Sequence, residues 1–261
     1  MSKIIAVHSF RGGTGKSNLT ANLAVAVALQ GNRVAIVDTD LQSPGIHALF
    51  NISETITGKT LNDYLWNRSS ITDTAYDVSS YLEIEETGKV FLIPSSINAD
   101  EIARILCEGY NVSILKSGFR QLIEELQLDY LFVDTHPGLS RETLLSIAIS
   151  NLLIVMLRPD RQDFQGTAVT VNIARQLNVQ MMMVINKTPS CMDFSELQQK
   201  VEKTYNVPIA GIFPLSEDMA QLGSNGLFCL QYPDHPFSQM LQQVAEKALI
   251  NSNLKAAIAN H

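Results

Sequence analysis

Residues 11–17 read R-G-G-T-G-K-S and lie between an apolar run, Ile4, Ile5, Ala6 and Val7, and a long alanine- and leucine-rich stretch. A strand, a glycine-rich turn and a helix in that order leave few folds open. Glycines at 12, 13 and 15 let the backbone curl around an anion and turn its N–H groups inward, where any Cβ would block the approach. A helix beginning near Gly15 adds its own unpaired N–H groups and the positive end of its dipole. Lys16 can then reach the β- and γ-phosphates of a nucleoside triphosphate, and the Ser17 hydroxyl can ligate Mg²⁺. A glycine-rich turn without a ligand would have no use for Lys16 and Ser17 together.

Beyond this loop, short apolar runs alternate with helical periodicity. Strands are expected at 3–9, 33–37, 90–93, 130–133, 152–157, 180–185 and 209–213, with helices near 16–30, 99–107, 112–127, 141–149, 161–177, 193–204 and 236–257. The alternation predicts βαβ crossovers and an α/β fold with one doubly wound, mainly parallel sheet and helices on both faces. The 261 residues, 46% hydrophobic and 17% charged, are expected to form a single domain over 1–261. No linker rich in Pro, Gly and Ser divides them, and the only long stretch of weak periodicity is 51–88. In such sheets ligands bind beyond the carboxyl ends of the strands, so residues that follow strands are the candidates for chemistry.

The second strand ends in V-D-T-D-L-Q-S-P-G, placing Asp38 and Asp40 at that edge. A carboxylate there can orient an attacking water, because phosphoryl transfer asks a protein chiefly for positioning and electrostatics. Asp40 or Ser43 can instead cap a short following helix, with Pro44 in its first turn. The run 130–133 leads into Asp134 within D-T-H-P-G, where an acidic group can hold Mg²⁺ opposite Ser17. His136 in that segment can answer to pH, touch a partner or be incidental. The run 181–185 leads into Asn186-Lys187-Thr188-Pro189, which is close to the guanine-reading N-K-x-D. Pro189 replaces the carboxylate that would accept from the guanine ring, so ATP is favoured over GTP.

Taken in order, these motifs resemble the MinD/ParA family of dimerising ATPases, whose deviant Walker A box usually reads K-G-G-x-G-K-[ST]. The resemblance runs from Lys3 to about Leu249 and includes L-I-P-S-S at 92–96. His136 departs from the common D-T-P-P-G or D-S-P-A-G, and Arg11 stands where the family has a lysine that reaches across the dimer to the partner's nucleotide. Arginine keeps the charge but offers a planar fork in place of a point charge. Arg158 and Arg161, in L-R-P-D-R, are alternative donors. The resemblance implies ATP and Mg²⁺ as cofactors, with Asp38, Lys16 and Arg11 as the catalytic residues. It puts Arg11, Gly12, Gly13, Thr14, Gly15, Lys16, Ser17 and Asn18 around the phosphates, Asn186 and Pro214 (segment 213–217) at the adenine, and Ser17, Asp134 and Asp40 around the metal.

ParA-like members bind DNA non-specifically as dimers and are released by hydrolysis after contact with a partner protein. The resemblance therefore implies a homodimer in the ATP state, an ATPase whose slow hydrolysis a partner stimulates, and positioning or partitioning of a cargo such as a plasmid, chromosome or carboxysome. Non-specific DNA and a cytoplasmic or nucleoid-associated location follow from the same comparison. The net charge of −7 argues against a protein that coats nucleic acid over its whole surface. Three other classes stand beside this one. A metal or Fe–S carrier, or an electron-transfer ATPase, needs cysteines placed to bridge a dimer, often as C-x-x-C. Cys107, Cys191 and Cys229 are odd in number and widely spaced, which fits a reducing compartment. A small-molecule P-loop ligase, resembling dethiobiotin synthetase, needs a further polar pocket, and an ATP-binding regulator that does not hydrolyse is compatible with Arg11.

No apolar run approaches the roughly 18 residues of a membrane span. Bacterial MinD docks on membrane through a short basic amphipathic helix, whereas residues 247–261 carry only Lys247 and Lys255 as firm positive charges. The stripe Leu241, Val244, Ala245, Ala248 and Leu249 is expected to pack on the protein's own body, so direct membrane binding is disfavoured.

Overall fold

The computed structural model describes residues 2–52, 58–84 and 86–258, with side chains as far as Ser252. The Lys255 side chain and residues 259–261, which enter the charge argument above, lie outside the described residues, as do 53–57 within the weakly periodic stretch. Among the described residues eight strands form one sheet: β1 (Lys3–His8), β2 (Arg33–Asp38), β3 (Tyr76–Asp77), β4 (Lys89–Ile93), β5 (Tyr130–Asp134), β6 (Leu152–Leu157), β7 (Gln180–Thr188) and β8 (Ile209–Pro214). Their spatial order is β3-β4-β2-β5-β1-β6-β7-β8. Every pairing is parallel except β3 with β4.

The helices are α1 (Lys16–Ala28), α2 (Leu61–Leu65), α3 (Ala99–Glu108), α4 (Ile114–Glu125), α5 (Arg141–Ile149), α6 (Arg161–Gln176), α7 (Phe194–Tyr205), α8 (Glu217–Leu222), α9 (Phe228–Gln231) and α10 (Pro236–Ile258). The sheet is apolar on both faces, as a parallel sheet covered by helices must be. Ile5, Val7, Val34, Ile36 and Phe132 meet α1 and α10 in one core. Ala6, Ala35, Val37, Val133 and Val155 meet α4, α6 and α7 in the other.

α1 is buried at every position from Leu19 to Ala28, between the sheet and α10. Its alanines let it lie close to the strands. Leu241, Val244, Ala245 and Ala248 of α10 are likewise buried, and Lys247 Nζ donates to the carbonyl of Ala210 at 2.8 Å, so the expected stripe packs inward. No helix among the described residues is long and apolar enough to cross a membrane.

The seven expected strands and seven long helices all form, within a few residues at their ends. β3, α2, α8 and α9 were not expected, because two to six residues do not display a period. Local chemistry still marks two of them. The Asp63 carboxylate accepts from the Thr60 N–H (2.8 Å) ahead of α2, and Ser216 Oγ accepts from the Met219 N–H (3.1 Å) ahead of α8. β7 continues three residues past the expected end through irregular pairing with β8, which carries Asn186 and Lys187 to the sheet's carboxyl edge.

Candidate active site

Ser9 to Gly15 carry the chain from β1 over the carboxyl edge of the sheet into α1. Gly13 (φ 74°) and Gly15 (φ 93°) occupy the left-handed region, where a side chain is strained, and a Cβ on Gly15 would stand 2.7 Å from Asn186 Nδ2. The loop's carbonyls are engaged from β7: Asn186 Nδ2 donates to Thr14 O (2.8 Å) and Lys187 Nζ to Gly13 O (2.9 Å). In a trans peptide C=O and N–H point in opposite directions, so the N–H groups of Thr14 and Gly15 point away from β7. Residues 12–18, with Asp40, Gly45 and Pro137, line a cavity of about 320 Å³. Glycines without Cβ, a helix N-terminus and Lys16 at one place fit a polyphosphate.

Beneath that cavity the pairing of β2 with β5 sets Asp38 directly beside Asp134, on the face that α1 covers. Both are fully buried. Lys16 Nζ donates to Asp134 Oδ1 at 2.8 Å, and Thr20 Oγ1 lies 3.1 Å from the same oxygen. Asp38 accepts from the N–H groups of Asp40 (3.0 Å) and Gly45 (3.2 Å). Burial, and then the neighbouring Asp134, hold the Asp38 carboxyl well above the usual carboxylate range, against the pull of Lys16. Lys16 thus bonds Asp134 and reaches Asp38 only through space. Asp134 Oδ2 is buried with no hydrogen-bond partner among the described residues. The orphaned carboxylate oxygen of Asp134, with the half-buried Ser17 and Asp40 on the cavity above it, forms a donor set that fits Mg²⁺.

Asp40 lines the phosphate cavity and is also a turn residue. Its Oδ1 accepts from the Ser43 N–H (3.2 Å) and pairs with His136 Nδ1 (2.6 Å). The one-turn helix that follows, Ile46–Phe50, has Gly45 at its start instead. His136 therefore ties the loop after β2 to the loop after β5.

A second cavity of about 260 Å³ shares Gly15 and Asn18 with the first. Phe213, Pro214, Leu215, Met219 and Phe237 give it apolar walls, and its polar groups come from Asn18, Asn186, Lys187 and Ser216. Among the described residues no carboxylate lines it. Apolar walls with a few amides and hydroxyls suit a purine face, and the ring donors of guanine would find no carboxylate there.

Arg11 lines neither cavity. Its guanidinium bonds Gln162 Oε1 and lies 3.8 Å from Asp163 Oδ1 and 4.0 Å from Asp160 Oδ1, at the start of α6. Arg158 pairs with the same two aspartates, at 3.0 Å to Asp163 and 3.3 Å to Asp160. Arg161 is exposed. Three contributors had not been singled out. Thr20 stands one helical turn beyond Lys16, a spacing readable on any helix. In the sequence Lys187 reads only as part of a base-reading string. His8 is fully buried; its Nδ1 lies 2.9 Å from Thr135 Oγ1, whose proton goes to Val7 O (3.0 Å), so Nδ1 is the donor. Burial and the nearby Lys16 push its pKa down to about 3, which leaves the ring neutral.

Residues 1–249 match the ParA family, described as NUBPL iron-transfer P-loop NTPase. An uncharacterised ATP-binding protein of Methanocaldococcus jannaschii is 28% identical, over 99% of this chain and 91% of its own. An iron–sulfur cluster carrier protein of Saccharolobus solfataricus is 27% identical, over 94% of this chain and 82% of its own. The solved structure of the cell division ATPase MinD of Pyrococcus furiosus shares the fold with a TM-score of 0.79 at 19% identity, covering 95% of this chain and 99% of that one.

Proposed function

The chain belongs to the ParA family of P-loop NTPases, and on that premise we propose that it is a Mg²⁺-dependent ATPase whose nucleotide state controls its pairing with a second copy, and through that its hold on a macromolecular cargo. The observation that carries this reading is the buried pair Asp38 and Asp134 side by side under the glycine cradle, with Lys16 bonded to Asp134. That floor leaves the buried Oδ2 of Asp134 without a hydrogen-bond partner among the described residues, at a place where a cation would find a ligand.

In this reading residues 12–18 hold the phosphates and Asn186, Pro214 and Asn18 border the base. Ser17 and Asp134, with Asp40, would hold Mg²⁺, which would supply neutralisation of the phosphate oxygens. Lys16 shifts its ammonium from Asp134 toward the β- and γ-phosphates. Asp38 orients a water; the water oxygen bonds to the γ-phosphorus, the bond to the bridging oxygen breaks, and ADP leaves with that electron pair. Contacts that the γ-phosphate makes only in the paired state would shift the population toward dimer.

The cargo-positioning reading draws on the family resemblance. Net charge −7 leaves any DNA contact to a local patch. A second reading, iron–sulfur carriage, is favoured by the name of the Saccharolobus relative. Its chemistry requires clustered thiolates. Here Cys107 and Cys191 are exposed in separate segments, and Cys229 is buried with its thiol pushed up to about 12. Among the described residues no three His, Cys, Asp or Glu side chains form a metal-holding group. Light scattering with Mg²⁺ and either ADP or a non-hydrolysable ATP analogue tests the leading reading: a dimer with the analogue alone supports it, and a mass blind to nucleotide overturns it. Stoichiometric iron and acid-labile sulfide on anaerobically purified protein would establish the second.

A further inference from the structure

The phosphate loop is gripped at its leading end by α6. Phe10 packs its ring on Gly166 so closely that a Cβ there would fall 2.0 Å from the ring. The next residue, Arg11, lays its guanidinium among Asp160, Gln162 and Asp163, one turn earlier on the same helix. Ser9 Oγ donates to Arg11 O (2.8 Å), which bends the backbone between the two anchors. At its trailing end the loop is held by Asn186 and Lys187. The glycines between are thus suspended from two fixed supports.

We propose that Arg11 is a positioning residue acting within its own subunit: it braces the phosphate loop on α6 and thereby holds the N–H cradle in shape, and it does not serve the nucleotide of a second copy. The charge arithmetic favours this. Asp160 and Asp163 present two carboxylates, and Asp163 is almost fully buried. Arg158 supplies one guanidinium and Arg11 the other, so two positive charges balance the two carboxylates. Withdrawing Arg11 would leave two carboxylates to Arg158 and the helix N-terminus. A planar fork suits this task, since one nitrogen bonds the amide oxygen of Gln162 while its delocalised charge stays within ion-pair reach of Asp160 and Asp163, which one ammonium in lysine's place would do less well.

The inference rests on the reading that the loop holds a nucleotide, so the test begins with wild-type ADP affinity in Mg²⁺ by titration calorimetry; no binding there would sink that reading and not merely the brace. With binding established, Arg11→Ala is expected to weaken ADP about tenfold, the size of one lost charge-assisted network, although ADP has no γ-phosphate for a second subunit to touch. Arg11→Lys should recover only part. Asp160→Asn keeps the cap of α6 while removing its charge, and it should weaken ADP in the same direction, with the double variant Asp160→Asn/Arg11→Ala no worse than Arg11→Ala alone. The second measurement mixes Arg11→Ala with Asp38→Asn, which keeps Lys16 and the cradle and so can bind ATP and pair. In a mixed dimer the Asp38→Asn subunit offers an intact Arg11 across the interface to the subunit that retains Asp38. The brace predicts no recovery of ATP hydrolysis on mixing; recovery, or ADP affinity unchanged in Arg11→Ala, or tighter ATP-dependent pairing in Asp160→Asn, would overturn it.

Discussion

Replacing Lys16 by alanine should destabilise the nucleotide-free protein as well as disable it. The ammonium and Asp134 are 5% and 1% exposed and 2.8 Å apart, so the substitution strands a buried charge. Removing one partner of a buried ion pair costs about 3–5 kcal/mol. At about 2–4 °C per kcal/mol for a chain of this size, the midpoint should fall by roughly 6–20 °C. The pH dependence has a definite sign. Asp38 titrates above its unfolded value, so its contribution is fully present below the unfolded pKa and is lost as pH rises through the folded one. Lys16 opposes that upward shift. Without it, the penalty should deepen as pH rises from the ordinary carboxylate range toward neutrality and beyond. Urea denaturation without nucleotide at pH 5.5 and 8 measures this, and Lys16→Ala/Asp134→Asn provides the control, because it removes the stranded charge. A loss below about 1 kcal/mol, or an equal loss at both pH values, or a double variant no more stable than the single, would refute the argument.

Asp38→Asn should hydrolyse ATP about 10²–10⁴-fold more slowly in a phosphate-release assay while still binding it, since water orientation is lost and the cradle is untouched. His136→Ala frees the Asp40 carboxylate from its 2.6 Å partner and should lower kcat several-fold with little change in ADP affinity; His136→Asn, whose Nδ2 can replace Nδ1, should restore most of it. Gly166→Ala should cost about 1–3 kcal/mol in urea denaturation and weaken ADP, because its Cβ displaces Phe10.

The parts of the site that were legible are those encoded by contiguous residues. The glycines and Lys16 of the loop, the aspartates that end β2 and β5, and the apolar runs between them all announce themselves locally, and the parallel register then brings Asp38 beside Asp134. What could not be read is partnership across the chain. Arg11 and Gln162 are separated by 151 positions, and Lys187 and Gly13 by 174. Nothing in R-G-G-T-G-K-S says that its first residue leans on another helix. The 51–88 stretch was opaque for a different reason: α2 and β3 are too short to show a period, and they are held by caps and by one antiparallel pairing on β4. His136 was visible as a departure from pattern, but its contact with Asp40 depends on two loops meeting above the sheet.

The burial of α1 bears on how the molecule can move. A helix wrapped on all sides from Leu19 to Ala28 has no free face along which to slide. Its amides should exchange with deuterium only when the whole molecule opens, whereas those of 41–45 and 136–140 should exchange by local fluctuation. Nucleotide turnover would then be felt by any bound partner through those two peripheral segments, with the helix beneath the phosphates serving as a stationary reference against which they are displaced.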